Sequence, residues 1–246
     1  MADAGIDAWL LALEARHLAN LTRPELTRAL RALSSCYVER RDKLKSGAAL
    51  DGAGKRAAFA LFYGPLHFLT IQRVLRALDW EGRALPAIHD LGCGTGVGGA
   101  AWAAAAGGAV RVAGVDRNAW AVAEANWTYR QFALRGSSRT GDLVRDFPRD
   151  PNAGIVLAYA VNELPDEARA ALLERIVSAP QSPLLVVEPI ARQDRAWWQP
   201  WATRLAGAGV REDEWRFPAE LPRLLRDIAK GAGLDPRELT ARTLSR

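Results

Sequence analysis

In the stretch HDLGCGTGVGGAAW, residues 89–102, five glycines (Gly92, Gly94, Gly96, Gly98 and Gly99) fall within eight residues, directly behind a short apolar run. Fixing a glycine costs more chain entropy than fixing any other residue. A cluster outside a flexible linker therefore marks a backbone that must turn sharply or admit a close neighbour, and a ligand-binding loop is the expectation. Asp90 stands two residues before the first of these glycines. Further along, VAGVDRN offers Asp116 with Arg117 behind it, TGDL offers Asp142 and Leu143, and NELP offers Asn162, Glu163 and Pro165. Carboxylates at strand ends accept hydrogen bonds from hydroxyl and amino groups, and a carboxylate beside a carboxamide can deprotonate and orient a nucleophile.

Two cofactor classes compete for the loop. Gly94-Thr95-Gly96-Val97-Gly98-Gly99 satisfies G-x-G-x-x-G, the dinucleotide pattern, which is weak on its own. The wider string Asp90-Leu91-Gly92-Cys93-Gly94-Thr95-Gly96 resembles motif I of the class I S-adenosylmethionine-dependent methyltransferases. A carboxylate at the loop's mouth repels a pyrophosphate and attracts ammonium and sulfonium groups, so Asp90 favours S-adenosylmethionine over NAD. Both cofactor classes use an acid at the place of Asp116 to accept ribose hydroxyls. The resemblance implies further that Asp142 meets the adenine amino group with the Leu143 backbone alongside, and that Asn162-Glu163-Leu164-Pro165 faces the transferable methyl. The expected cofactor-binding set is Asp90, Gly92, Cys93, Gly94, Gly96, Asp116, Arg117, Asp142 and Leu143. Taken singly, these acids read as caps and turn residues. In order at successive strand ends, they read as one nucleoside site.

Methyl transfer is an in-line displacement, which asks of a protein mainly alignment and a dry pocket. Asn162 is expected to orient the nucleophile and Glu163 to accept its proton. The competing roles are a cap on the helix at Pro165 for Asn162 and an ion pair with an arginine for Glu163. Amino-methylating relatives often carry an Asn/Asp-Pro-Pro-aromatic tetrad here, but no aromatic follows Pro165. Substrate contacts are expected from Tyr63, His67, Pro165 and Glu188, with a packed aromatic segment as the simpler role for Tyr63 and His67. Trp197, Trp198 and Trp201 read as core or lid ahead of a substrate platform.

The elements that must position these residues divide the chain into a helical domain, 1–84, and an α/β domain, 85–246, with a Rossmann-like class I methyltransferase sheet. In the first, Thr22 and Glu25 have capping-box spacing, Leu26, Leu30 and Leu33 share a helical face, and Gly64-Pro65 marks a bend. In the second, strands are expected at AIHDL, VRVAGVD, SSRTGD, GIVLAYAV, LLVVEP, part of VREDEWRF, and ELTARTL. Helices alternate with them, and one extra helix is inserted before the last strand.

The pieces RRDKL, FALFYGPLHFLTIQRVL, YAVNELPDEARAALLERI and PLLVVEPIAR are similar to the methyltransferase-like ribosomal small-subunit assembly family, known in mitochondria and with bacterial relatives. That resemblance implies S-adenosylmethionine binding and ribosomal RNA or the small ribosomal subunit as partner, hence RNA binding and ribosome assembly. The cysteine-rich iron–sulfur segment of mitochondrial relatives has no counterpart, because the chain holds only Cys36 and Cys93. With three histidines at no ligand-like spacing, a metal site is not expected. The net charge of +5 and the basic cluster of Arg40, Arg41, Lys43, Lys45, Lys55 and Arg56 suit an anionic partner, although a solvated helix end and loop is the simpler reading of the cluster. No membrane span or leader is legible, and a cytoplasmic protein is expected. A cofactor-binding assembly factor without methyl transfer is the main alternative, and an NAD-dependent oxidoreductase the weaker one.

Overall fold

The computed structural model describes residues 2–39, 50–190 and 195–246. Arg40, Arg41, Lys43 and Lys45 therefore lie outside the described residues. The chain forms two compact units, one from Met1–His67 with Pro218–Leu239, the other from Phe68–Phe217 with Thr240–Arg246. This differs from a division at residue 84: the first cut falls at 67/68, and residues 218–239 join the helical unit.

The helical unit holds α1 (Ala2–His17), α2 (Arg23–Glu39), α3 (Ala53–Ala58), a π-helical turn (Phe59–Tyr63), the start of α4 (Gly64–Ala77) and α9 (Arg223–Ala232). The capping box forms as expected: Glu25 Oε2 accepts the Thr22 N–H at 2.8 Å and Thr22 Oγ1 receives the Glu25 N–H at 3.4 Å. Leu26, Leu30 and Leu33 are buried. α9 joins this unit because its apolar stripe, Leu225, Ile228, Ala229 and Ala232, needs burial and finds it against α2. Arg31 of α2 fastens the end of α9, donating to the Gly231 carbonyl at 2.7 Å and the Ala232 carbonyl at 3.1 Å.

The expected bend at Gly64-Pro65 is not a break. Proline has no N–H to give an α-helical turn, and the turn ahead of it widens instead, the Gly64 N–H reaching the Phe59 carbonyl five residues back.

The second unit is built on a seven-stranded sheet of order β3-β2-β1-β4-β5-β7-β6. Its strands are β1 (Ala87–Leu91), β2 (Arg111–Asp116), β3 (Arg135–Thr140), β4 (Gly154–Ala158), β5 (Leu184–Glu188), β6 (Arg211–Pro218) and β7 (Glu238–Ser245). Helices α5 (Val97–Ala105), α6 (Ala119–Gln131), α7 (Asp166–Val177) and α8 (Arg195–Ala206) connect them. Strands β1 to β5 pair in parallel, and β7 runs antiparallel to β5 with Glu188 opposite Arg242. Strands 1, 2, 4 and 5 thus end on one edge, bringing Leu91, Asp116, Ala158 and Glu188 to the same side. The order reverses between β1 and β4, the switch point at which open α/β sheets form ligand crevices.

β3 lies two residues earlier than expected, because β2 pairs with it from Arg111↔Arg135 through Asp116↔Thr140 and Asp142 already belongs to a turn. Trp198 and Trp201 are core residues, packed with Leu172, Ile176 and Leu205. Trp197 meets both rings edge-on at 5.4 and 5.3 Å.

Candidate active site

The glycine loop joins β1 to α5, and its glycines have different reasons to be there. A Cβ on Gly92 would come within 2.7 Å of Ala160 Cβ, and one on Gly96 (φ +79°) within 2.9 Å of the Ala125 backbone. Gly94 (φ +51°) is the exception, its missing side chain leaving open space. Gly98 and Gly99 face Ala158 of β4 and Val112 of β2, so most of the side-chain exclusion serves packing within the unit, and of the five glycines Gly94 alone meets open space.

Asp90 is not at the mouth of the loop. It is 1 % exposed, beneath the loop, where Oδ2 accepts the Gly99 N–H of α5 at 2.7 Å. Through this contact it holds the first turn of α5. Burial pushes the Asp90 carboxyl up to about 7, with the Gly99 N–H pulling it down and the charge of Asp116 pushing it up. Cys93 is likewise buried, its thiol pushed up by burial, and its own side chain faces the interior.

Asp116 ends β2 and fastens two backbones. Oδ2 accepts the Gly94 N–H at 2.9 Å and Oδ1 the Asn118 N–H at 2.8 Å, while Asn118 caps α6 by accepting from Trp120 and Ala121. Each carboxylate oxygen retains a second lone pair for a hydroxyl. Arg117 is exposed beside it. Asp142 is half-buried, and its Oδ1 accepts the N–H groups of Val144 and Arg145 at 3.1 and 3.0 Å, a turn that holds Leu143 near Gly92.

After β4 the chain makes a 3-10 turn, Val161–Glu163. Asn162 does not cap the following helix, whose N-cap is Pro165. Its Oδ1 is buried without a hydrogen-bond partner. Burial raises the Glu163 carboxyl to about 7, the charge of Arg117 opposing this and that of Asp116 reinforcing it. Glu163 thus belongs to the same electrostatic neighbourhood as the end of β2. Pro165 is exposed.

Glu188, expected to touch substrate, is fully buried, and its Oε1 accepts the N–H groups of Val161 and Asn162 at 2.9 and 3.1 Å. Tyr63 and His67 belong to the helical unit. The Tyr63 hydroxyl shares a 2.9 Å hydrogen bond with Ser34, and His67 packs against Phe59 and Tyr63, with burial lowering it to about 3. Within that unit both are parts of a packed aromatic segment.

Two residues escaped sequence reasoning. Thr95 in the loop is 4 % exposed with an unpartnered Oγ1. Tyr159 takes φ +58° directly after β4, a left-handed conformation rare for aromatic residues. The only signal was an aromatic residue at a strand end without a glycine to take the turn.

These features fit a nucleoside carrying a charged amino-acid tail: an open cradle at Gly94, acid oxygens at Asp116 and Asp142, and buried unpartnered oxygens on Thr95 and Asn162. Among the described residues no group of side chains could hold a metal ion, and no helix is long and apolar enough to cross a membrane.

Comparison with known proteins agrees with this geometry. Residues 88–180 match the family model described as a methyltransferase domain. Residues 88–180 thus carry a methyltransferase domain. A methyltransferase domain makes the chain an enzyme. No curated protein matches the sequence. Among solved structures, the mitomycin 7-O-methyltransferase MmcR is similar at 19 % identity and TM-score 0.55, over 96 % of this chain and 71 % of its own. An S-adenosylmethionine-dependent methyltransferase of Leishmania major is similar at 12 % identity and TM-score 0.54, over 83 % of this chain and 82 % of its own. At such identities the likeness is one of fold.

Proposed function

We propose that this enzyme methylates ribosomal RNA or a ribosome-associated acceptor, with the turn Val161–Glu163 as the place of transfer. The observation that carries the transfer reading is the pairing of Asn162 with Glu163 at the end of β4, in the electrostatic neighbourhood of Asp116 and Arg117. S-adenosylmethionine supplies an electrophilic methyl carbon. Asp116 and Asp142 would hold its nucleoside and the surroundings of Gly94 its amino-acid end. Asn162 Oδ1, otherwise unpartnered, accepts a hydrogen bond from the acceptor group and aligns it. As the acceptor's lone pair displaces the methyl from sulfur, leaving the thioether S-adenosylhomocysteine, Glu163 would take the proton that the acceptor sheds, and a carboxyl raised towards neutrality is matched to that task.

The ribosomal acceptor rests on the family resemblance and on the net charge of +5, and it carries a place in the cytoplasm with it. Transfer of labelled methyl groups to small ribosomal subunits tests the reaction. For the partner, affinity for structured RNA should fall steeply with salt, since each neutralised phosphate releases counterions. Replacing Arg40, Arg41, Lys43 and Lys45 with Gln should flatten that slope and spare S-adenosylmethionine binding. Cofactor binding without any transfer leaves the assembly-factor alternative, and the absence of salt-sensitive RNA binding overturns the ribosomal acceptor.

A further inference from the structure

Four independent features converge on the short stretch that follows β4. Tyr159 accepts a left-handed backbone, φ +58°, while its N–H still reaches the Val187 carbonyl of β5 at 2.8 Å. Such a conformation is strained in a non-glycine residue and persists only where its surroundings over-determine it. Ala160 is pressed against Gly92, leaving no room for a Cβ there. Val161 and Asn162 both point their N–H groups at one oxygen of Glu188. Glu188 itself is 0 % exposed and is the last residue of β5, so its backbone is fixed by the sheet.

We infer that Glu188 is a positioning residue: by accepting two adjacent N–H groups it converts the rigidity of β5 into a fixed placement of Asn162 and Glu163 at the cofactor edge. A single acceptor oxygen shared by successive N–H groups fixes both the position and the tilt of a 3-10 turn, and the strained Tyr159 directs the chain into it. Buried carboxyl groups are costly unless hydrogen-bonded, and the two N–H contacts satisfy one oxygen of this one. Neither Asn162 nor Glu163 has to bond to Glu188 through its own side chain. Both side chains stay available to an acceptor. The inference rests on the reading of this turn as the transfer site.

The test needs no acceptor. The Glu163 carboxyl is followed by carbon-13 NMR titration in the full chain and in Glu188→Gln, Glu188→Ala and Glu188→Asp variants, with S-adenosylhomocysteine affinity measured in each. A glutamine keeps the acceptor oxygen at the same reach, so the Glu163 midpoint should stay near 7. Alanine removes the acceptor, and aspartate, which serves if the alanine variant fails to fold, withdraws it by one methylene. In these two the turn loosens, Glu163 gains water, and its midpoint should fall by about one pH unit or more, while S-adenosylhomocysteine affinity stays within about threefold. A Glu163 midpoint unmoved in folded Glu188→Ala or Glu188→Asp overturns the positioning role alone. A wild-type Glu163 that already titrates as an ordinary glutamate overturns the transfer reading of the turn, and the inference with it.

Discussion

Gly94 donates its N–H to Asp116 Oδ2 at 2.9 Å, so the acid that closes β2 holds the glycine that opens the loop after β1. The same carboxylate receives the Asn118 N–H at the entry of α6. Substituting Asp116→Ala removes two backbone anchors together with the ribose acceptor. The dissociation constant for S-adenosylhomocysteine should rise by about 1–3 kcal/mol in free-energy terms, measured by calorimetry. An unchanged constant would remove Asp116 from the site.

Two glycines of one loop should behave oppositely. Gly96→Ala drives a Cβ against the Ala125 backbone and the Tyr129 ring at a left-handed position, and should destabilise the fold by roughly 2–4 kcal/mol. Gly94→Ala meets no neighbour and should cost only about 1–2 kcal/mol of backbone strain, yet weaken S-adenosylmethionine binding by narrowing the cradle. Urea denaturation and binding isotherms of the two variants separate these outcomes. Equal losses of stability would contradict the contact geometry.

If Glu163 receives the acceptor's proton, it must be ionised to act. With its carboxyl raised to about 7, transfer should climb with pH, about tenfold per unit below that value and level above it. Glu163→Gln should lower the rate and remove this limb. A wild-type rate that is flat from pH 5 to 8 would rule out a base whose carboxyl is raised to about 7.

Asp90 and Glu163 both hold protons more tightly when folded than when unfolded, their carboxyls lying near 7 against ordinary values of 3.8 and 4.5. Burial of the charged form is therefore not penalised below pH 4. The penalty grows as pH rises towards 7 and is complete above it. Asp90→Asn keeps an acceptor for the Gly99 N–H and should remove one proton from the linkage, about 1.4 kcal/mol per pH unit between pH 4 and 7. Denaturation midpoints at pH 5 and 8 check this, and an unchanged slope would show that another group is responsible.

The strand-helix alternation and the acids that end strands were legible because local pattern specifies them. AIHDL and LLVVE are apolar runs of strand length, and the residues that follow them break the run. What was not legible depends on partners distant in sequence. Asp90 lies beneath its loop because Gly99 folds back over it, and Glu188 serves Val161 and Asn162, 26 to 27 residues away. Tyr159 adopts a left-handed backbone that its own residue type disfavours, so propensity argued against what the sheet imposes. The inserted helix was visible as a departure from a hairpin, but its membership of the helical unit needed the contact with α2.

That membership has a consequence for how the molecule is made and dissected. Arg31 grips carbonyls 200 and 201 residues further along, so the N-terminal helices wait for nearly the whole chain before their last neighbour exists. Contacts so distant in sequence carry a loop-closure cost and slow folding, and until α9 arrives the apolar side of α2 that receives it is uncovered. The helical unit is thus not a removable appendage. A truncation at the 67/68 division would strand Leu225 and Ile228 on an amphipathic helix deprived of its partner, trading a domain boundary for an exposed sticky face.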